Sequence, residues 1–399
     1  MPIFGVVKGS KVDVKLWAPL EEVESAALQQ LRNTASLPWA FHSVCAMPDV
    51  HLGSGATVGS VVALKEAVSP ACVGVDIGCG MTAVKTNLHA SDMPESLKAL
   101  RLELEAAIPM GFNGHTKEAW DQFESTRHIG QDLFSRFNGL AQPEKASFTK
   151  TREQCGTLGG GNHYLSIALE QNSAKDPAVW LMLHSGSRGI GNQLAQHHIA
   201  IAKKMAHNAD LPDKDLAVFL ASTSEFSEFW RDLRWAQEYA HLNREVMLEL
   251  FKKILTKNFP TISFGDPVRC HHNYVEKEWH YDNEVIVTRK GAISARKGQL
   301  GVIPGSMGMS SFIVSGLGNP ESFMSASHGA GRKMSRTAAR KKFTLEDMNN
   351  QLGTLESRRD VDIIDECPES YKNIHDVMAN QSDLVEIVTE IKEILCCKG

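Results

Sequence analysis

The stretch VGVDIGCGM at 73–81 sets a carboxylate and a thiol, Asp76 and Cys79, three residues apart between glycines. A thiolate has electron pairs to bridge two cations, a nearby carboxylate can hold one of them, and glycines let the backbone turn sharply beside an ion. By itself D-x-x-C is a weak signature, because a buried cysteine usually serves as a small hydrophobe. Its weight comes from the rest of the chain, where His, Gly and Arg gather in blocks that make chemical sense when brought up against it. A chain of this kind has to carry distant strand ends to one place.

The first such block is HSVCAMPDVHLGSGATVGSVVAL, at 42–64, in which Asp49, His51, Gly53, Gly55 and Gly59 interrupt two strand-like apolar runs. Polar groups then sit in a loop at strand ends, where open sheets present their chemistry; Asp49 and His51 are equally good turn residues. Its glycines do not form a dinucleotide fingerprint, since no G-x-G-x-x-G opens a helix after a strand. CGTLGGGNHYLSIALE, at 155–170, delivers Asn162 and His163 to the start of a strand through three consecutive glycines, which suits close backbone approach to a ligand. AVWLMLHSGSRGIG, at 178–191, places His184 at a strand's end, followed by Ser185, Ser187 and Arg188. An imidazole beside hydroxyls, backbone N–H groups and a guanidinium reads as a metal ligand next to an anion cradle.

Further on, VRCHHNYVEKE offers the adjacent pair His271 and His272. Neighbours in a strand point to opposite faces, so one of the two can join a site built on one face. Arg289 and Lys290 end the next strand, and His328 lies among small residues in SASHGAGRK. From Arg332 to Lys342 there are six basic residues and no acidic one, with Arg332, Arg336 and Arg340 spaced as a single face of a helix. A helix beginning straight after Gly329 and Gly331 would make this a phosphate and polyanion site.

The remaining segments read as scaffold. Helical patterns are expected over 23–35, over much of 92–141 and over 192–257, where Phe226, Trp230, Leu233, Tyr239, Leu242 and Val246 recur at core-packing intervals. His115 and His128 lack a second donor at useful spacing and are expected to be structural, while His241 and Asn243 are left as structural or substrate-adjacent. A helix is expected from about Asp376, and apolar IKEILCC before Lys398 implies a packed C-terminal end. At 399 residues, 42% hydrophobic, the chain has room for two average domains or one large enzyme domain with insertions. No long apolar run or signal-peptide pattern is present, and eight scattered cysteines do not make a disulfide framework, so a soluble cytoplasmic protein is expected. A formal charge of -5 excludes a surface coated in basic groups but leaves room for a locally positive groove. Mixed S, N and O donors fit Mn, Co or Zn better than an all-oxygen Mg site, and the spacings match neither a zinc finger nor a ferredoxin. Residue chemistry reaches metal-dependent phosphoryl or nucleotidyl transfer and stops there.

The blocks MPDVHLGSGATVGS, VGVDIGCGM, GTLGGGNH, MLHSGSRGIGN, CHHNYVEKE, VTRKGAISAR, IPGSMG, SHGAGRKMSR and the terminal CCKG resemble the RtcB family of GTP- and manganese-dependent RNA-splicing ligases, over about Lys15 to Gly399. The resemblance implies a mixed α/β fold of the family's own kind: one catalytic domain over 1–399, helical insertions at about 92–141 and 192–257, and a site in a central cleft. It implies metal ligands at Asp76, Cys79, His163, His184 and His272, with Cys79 as the bridge between two Mn ions. His328 falls on the residue that accepts GMP, and Asn162, Arg188, Lys290, Arg332 and Lys398 fall on guanylate and phosphate contacts. Ser306 and Gly329, Ala330 and Gly331 line the nucleotide by the same reading. GTLGGGNH departs from the family pattern at Gly160, where Ser or Thr is common; a looser loop is expected, with no ligand lost.

The implied activity is joining of an RNA 3'-phosphate or 2',3'-cyclic phosphate end to a 5'-hydroxyl end, in tRNA splicing or RNA repair, with GTP as cosubstrate. A monomer is implied, with room for an activating protein partner. Two other classes use the same residues: an enzyme that caps 3'-phosphate ends without joining them, and a non-catalytic RNA-binding relative.

Overall fold

The strand Ala178–Ser185 is buried along its whole length, and its alternate side chains enter different interiors. Val179, Leu181 and Leu183 join a core shared with helices, whereas Trp180 and Met182 join one shared with another sheet. Apolar residues on both faces are what a strand covered on both sides requires. This strand lies inside an eight-stranded sheet of the computed structural model, which describes residues 2–141, 147–171 and 175–399. The path runs Val268–His271, Gly80–His89, Ala178–Ser185, Tyr164–Glu170, Val385–Lys398, Ser310–Gly316, Leu300–Ile303, and the short Glu356–Ser357 pairs with Val385–Lys398 from the side. All the ladders along the path are antiparallel.

A six-stranded sheet packs on it, in the order Gly5–Val7, Asp13–Leu16, Ala40–His51, Val58–Leu64, Asn283–Lys290, Asn273–His280. Cys45, Met47, Val61, Ala63, Val285 and Val287 face Met81, Ala83, Trp180 and Met182 across the inter-sheet core. The outer face of the six-stranded sheet is covered by Ser25–Ala35, through Leu31 and Ala35 against Val14, Leu16, Val44 and Val62. The outer face of the eight-stranded sheet is covered by Lys98–Ala107, Glu124–Ser135, Arg188–Ala202 and the 35-residue helix Ser224–Asn258. That long helix starts where the Thr223 hydroxyl accepts the Phe226 N–H, satisfying a donor its first turn leaves open. Phe226, Leu233, Tyr239, Leu242 and Val246 are buried, as their spacing predicts, and Trp230 is partly so. The layers are therefore helix, sheet, sheet, helices, a mixed α/β fold.

The ladder register decides where the chemistry gathers. Gly80 pairs with Ser185 and with His271, Tyr164 with His184, and Lys398 with Tyr164, so five strand ends reach one rim of the eight-stranded sheet together. On the other sheet, Lys290 pairs with both Ser60 and Asn273 at the corresponding rim. The C-terminus is packed in as the apolar IKEILCC implies, with Gly399 N donating to His163 O.

The expected continuous helix from Gly331 onward is corrected. The helix is Arg336–Lys342, capped by Ser335, whose hydroxyl accepts the Ala338 N–H. Arg332 lies outside it, in a backbone bridge to Tyr371. Serine directly before the first helical residue is a stronger helix start than the glycines that precede it, because its side chain replaces a missing acceptor. Among the described residues no helix is long and apolar enough to cross a membrane.

Candidate metal centre and nucleotide cavity

Asp76 and Cys79 occupy the turn between the short helix Pro70–Val73 and the strand Gly80–His89, with Gly74 and Gly78 both at positive φ. Cys79 Sγ lies 3.3 Å from His163 Nε2 and 3.2 Å from His184 Nε2. His184 Nε2 is 3.2 Å from His272 Nε2, and His163 Nε2 is 2.9 Å from Asp76 Oδ2. His163 donates through Nδ1 to Leu158 O and His184 through Nδ1 to Asn162 O, which leaves each Nε2 as a bare lone pair. His271 turns the other way, with Nδ1 against Gly78 O and Arg244.

These donors fit a divalent cation. Nitrogen lone pairs 3.2 Å apart around a sulfur repel one another unless a positive charge lies between them. Burial, followed by the nearby imidazoles and cations, pushes His184 and His272 well below the ordinary histidine value, so both stay neutral. Burial and then Asp76 push the Cys79 thiol well above its ordinary value, so a thiolate here needs a cation to stabilise it. Burial alone would raise Asp76, but His163 holds it down to about 2. The soft thiolate, three imidazoles and one carboxylate suit Mn or Zn class ions better than Mg.

The supporting shell comes from the long helix. Asn243 Oδ1 accepts Gly156 N at 2.7 Å and Thr157 N at 3.1 Å, while its Nδ2 donates to Thr157 O, Ser185 Oγ and Gly186 O. Fully buried Arg244 donates to Gly78 O and Ser185 O. One side chain thus ties the two glycine blocks together and the next ties the Cys79 turn to the His184 strand. Sequence reading did not single out Arg244; its only signal is an arginine at a buried position of a helix otherwise made of core residues. Glycine is required at 186, where a Cβ would lie 2.2 Å from the Asp76 carboxylate, and at 159, where it would strike Arg188 and His163. A Cβ at Gly160 meets nothing closer than 3.9 Å.

His328 follows the strand Ser325–Ser327 and stands beside the donors, its ring 4.9 Å from that of His272. Its Nδ1 donates to Asp49 Oδ2 at 2.6 Å, and its backbone N–H donates to the same oxygen at 3.2 Å. Asp49 is fully buried, and its Oδ1 has no partner among the described residues. The alternative of a plain turn residue is therefore set aside for Asp49, which orients His328 and leaves Nε2 as the free nitrogen. A cavity of about 440 Å³ opens over His328, lined also by Asp76, Cys79, Asn162, His184 and His272. Ser306, Gly329, Ala330, Gly331, Lys290, Arg332 and Lys398 border the same cavity. Lys290 donates to Ser54 O and Ala71 O, and burial brings it down to about 8. Its neighbour Arg289 faces away into an ion pair with Glu278. Glu393, which sequence reading passed over, is a buried carboxylate on this wall, pushed up to about 7 by burial.

Two expectations need correction. Arg332, Arg336 and Arg340 do not form an unpaired positive stripe: Arg332 bonds Glu366 and Tyr371, Arg336 bonds Asp365 and Glu366, and Arg340 bonds Asp365. Lys398 also pairs with Glu366, at 2.7 Å. Arg188, in turn, does not border the His328 cavity. It donates to Thr157 Oγ1 and Gly111 O and borders a second cavity of about 460 Å³ that reaches Asp76 and His163. His115 bonds Gly156 O, a structural contact.

The fold and donor set define an α/β protein with a buried Cys–His donor cluster able to hold a metal ion, an aspartate beside it, and a separate histidine–aspartate pair over a polar cavity. The family model described as tRNA-splicing ligase RtcB matches residues 30–399. The chain is 46% identical over 400 residues to the RNA-splicing ligase RtcB of Escherichia coli (strain K12), covering 97% of each. It is 29% identical to the tRNA-splicing ligase RtcB of Methanococcus maripaludis, covering 95% of this chain and 92% of that one. The tRNA-splicing ligase RtcB of Nanoarchaeum equitans is 27% identical over 94% of this chain. The chain belongs to the RtcB family.

Proposed function

We propose that this RNA ligase joins 3'-phosphate or 2',3'-cyclic phosphate ends to 5'-hydroxyl ends through GMP carried on His328. The observation that carries the reading is the 2.6 Å contact of His328 Nδ1 with buried Asp49, next to a metal-type donor cluster. With its Nδ1 proton held there, the imidazole presents the Nε2 lone pair as a nucleophile, and the carboxylate offsets the positive charge the ring gains when an N–P bond forms. His328 attacks the α-phosphorus of GTP and pyrophosphate leaves. An RNA 3'-phosphate oxygen then takes GMP from His328, which returns to the neutral imidazole. The 5'-hydroxyl of the second strand displaces GMP and completes the phosphodiester.

Asp76, Cys79, His163, His184 and His272 would hold divalent metal, with Mn as the ion and Cys79 shared between two of them. Bound there, the metal supplies neutralisation of crowded phosphates and polarisation of the reacting oxygens. Lys290 and Lys398 add positive charge to the cavity wall, Asn162 supplies an amide, and the N–H groups around Gly329, Ala330 and Gly331 are available to phosphate oxygens. Ser306 borders the same space. Arg188 serves the RNA side of the centre. A monomer acting on RNA in the cytoplasm, on tRNA halves or damaged transcripts, completes the reading.

GTP labelled at the α-phosphate, mixed with protein and Mn without RNA, is expected to label the polypeptide through a bond stable in base and broken in acid. His328→Ala should not label while still binding metal. Labelling that persists in His328→Ala would sink the assignment. Label that discharges to a capped 3' end, with no joined strand, would hand the function to an end-capping enzyme.

A further inference from the structure

The metal centre has two openings. Four imidazoles stand in a row, His163, His184, His272 and His328, with successive ring centroids 5.2, 4.9 and 4.9 Å apart. The His328 end lies in the nucleotide cavity, and the His163 end in the cavity bordered by Arg188, with Asp76 and Val75 shared by both. A phosphoryl transfer in line needs its entering and leaving groups on opposite sides of phosphorus. In the joining step GMP leaves toward the His328 cavity, so the attacking hydroxyl has to arrive from the other side.

The second cavity suits the end of a nucleic-acid strand. Arg188 is half-buried without a carboxylate pair among the described residues, and Lys150, Gln154 and Asn192 line the same walls. At its mouth stands Phe112, 94% exposed, far beyond every other large hydrophobic side chain described. The loop that carries it is fixed. Gly111 N donates to Gly159 O, Gly111 O accepts from Arg188, and Leu158 N donates to Pro109 O. A solvent-facing aromatic ring on a pinned backbone beside an arginine is a surface for stacking a base.

We propose that the Arg188 cavity receives the terminal nucleotide of the 5'-hydroxyl RNA strand, with Phe112 as the surface on which its base stacks. The inference rests on the ligation reading above and adds the subsite of the acceptor strand. In the step it serves, the 5'-oxygen bonds to the 3'-phosphorus, the bond to GMP breaks with its electron pair leaving on GMP, and water takes the hydroxyl proton.

The test uses the full-length protein and a fluorescent single-stranded RNA bearing a 5'-hydroxyl. Phe112→Ala should weaken its binding roughly thirtyfold, the middle of the range for one lost base–aromatic stack. In joining assays the KM for the 5'-hydroxyl strand should rise by a similar factor, while turnover at saturating strand changes little. Phe112→Trp should restore affinity, and Phe112→Leu, apolar but without a π face, should not. Wild-type binding by Phe112→Leu would overturn the stacking role. Equal loss of transfer to a 3'-phosphate strand would overturn the choice of strand. A wild-type protein that never labels with GTP counts against the proposed function instead, and the binding isotherms still decide whether Phe112 holds RNA.

Discussion

Two dense groups of charged and polar side chains flank the His328 cavity, and they are built on opposite principles. Around Cys79, the ligating atoms face one another with no cation from the described residues between them; backbone carbonyls satisfy the far sides of His163 and His184, the Ser187 N–H satisfies an Asp76 oxygen, and Asn243 holds the loops. Around Glu366, four cations from three segments meet two carboxylates buried in Val361–Glu366, so each cation has a carboxylate partner within the chain while the group keeps an excess of positive charge. The first group lacks a cation, whereas each cation of the second already has a carboxylate to bind. A count of cations along the sequence cannot separate the two cases, because it is blind to the partners the fold supplies.

The largest effect should come from breaking the first group. Cys79→Ala is expected to lose most bound Mn by isothermal titration while keeping the wild-type circular dichroism; two ions bound per chain at unchanged affinity would remove Cys79 as a shared ligand. His272→Ala should lose metal in the same measurement, and His271→Ala should lose far less, since its Nδ1 is already engaged by Gly78 O and Arg244. Equal losses would place the wrong histidine in the centre.

One step down, Arg244→Met removes the donor that ties Gly78 to Ser185 without touching a ligand. Metal affinity should fall about 10–100-fold, the usual cost of losing an outer partner. Unchanged affinity would show that the long helix is not needed to hold the ligands in place.

The second group should declare itself in acid. Burial raises the Glu366 pKa, but Lys398 and Arg336 bring it to about 2, below the ordinary 4.5. A carboxylate whose folded pKa is depressed contributes stability above its unfolded pKa and loses it as pH falls toward the folded one. That contribution is on the order of 3 kcal/mol for a buried group. Urea midpoints of wild type should therefore drop from pH 5 to pH 3 more steeply than those of Glu366→Gln, and parallel curves would deny the linkage.

The smallest effect is expected at the surface of that group. Arg336→Ala and Arg340→Ala remove half-exposed partners of Asp365, so each should cost about 1 kcal/mol or less of stability. RNA affinity should change by less than about threefold, because those charges are already spoken for by carboxylates. A steep loss of affinity and a flatter salt dependence in either variant would restore the arginines as phosphate contacts.

Much of this was legible without coordinates. Alternation and turn residues mark the strands around 42–64, 164–170 and 178–185, since a pleated strand and a glycine turn leave local signatures. The five donor positions stand out as metal-capable residue types at strand ends, and family resemblance assigns them together. Three things were not legible, for one reason: each depends on residues far apart in the chain. Asp49 and His328 are 279 positions apart, and only the packing of the two sheets turns an ambiguous turn residue into the partner of an imidazole. The arginine spacing suggested an open cationic face, and only the return of Val361–Glu366 beside it supplied the carboxylates. Arg188 reads as one more group of the nucleotide cradle, and only its left-handed backbone at the start of Arg188–Ala202 and its bond to Gly111 send it to the other opening. Sequence determined which chemistries the chain carries, because residue type and local period are local properties. Tertiary structure decided which of them stay unpaired and face a ligand, because a charge is satisfied by its neighbours in space.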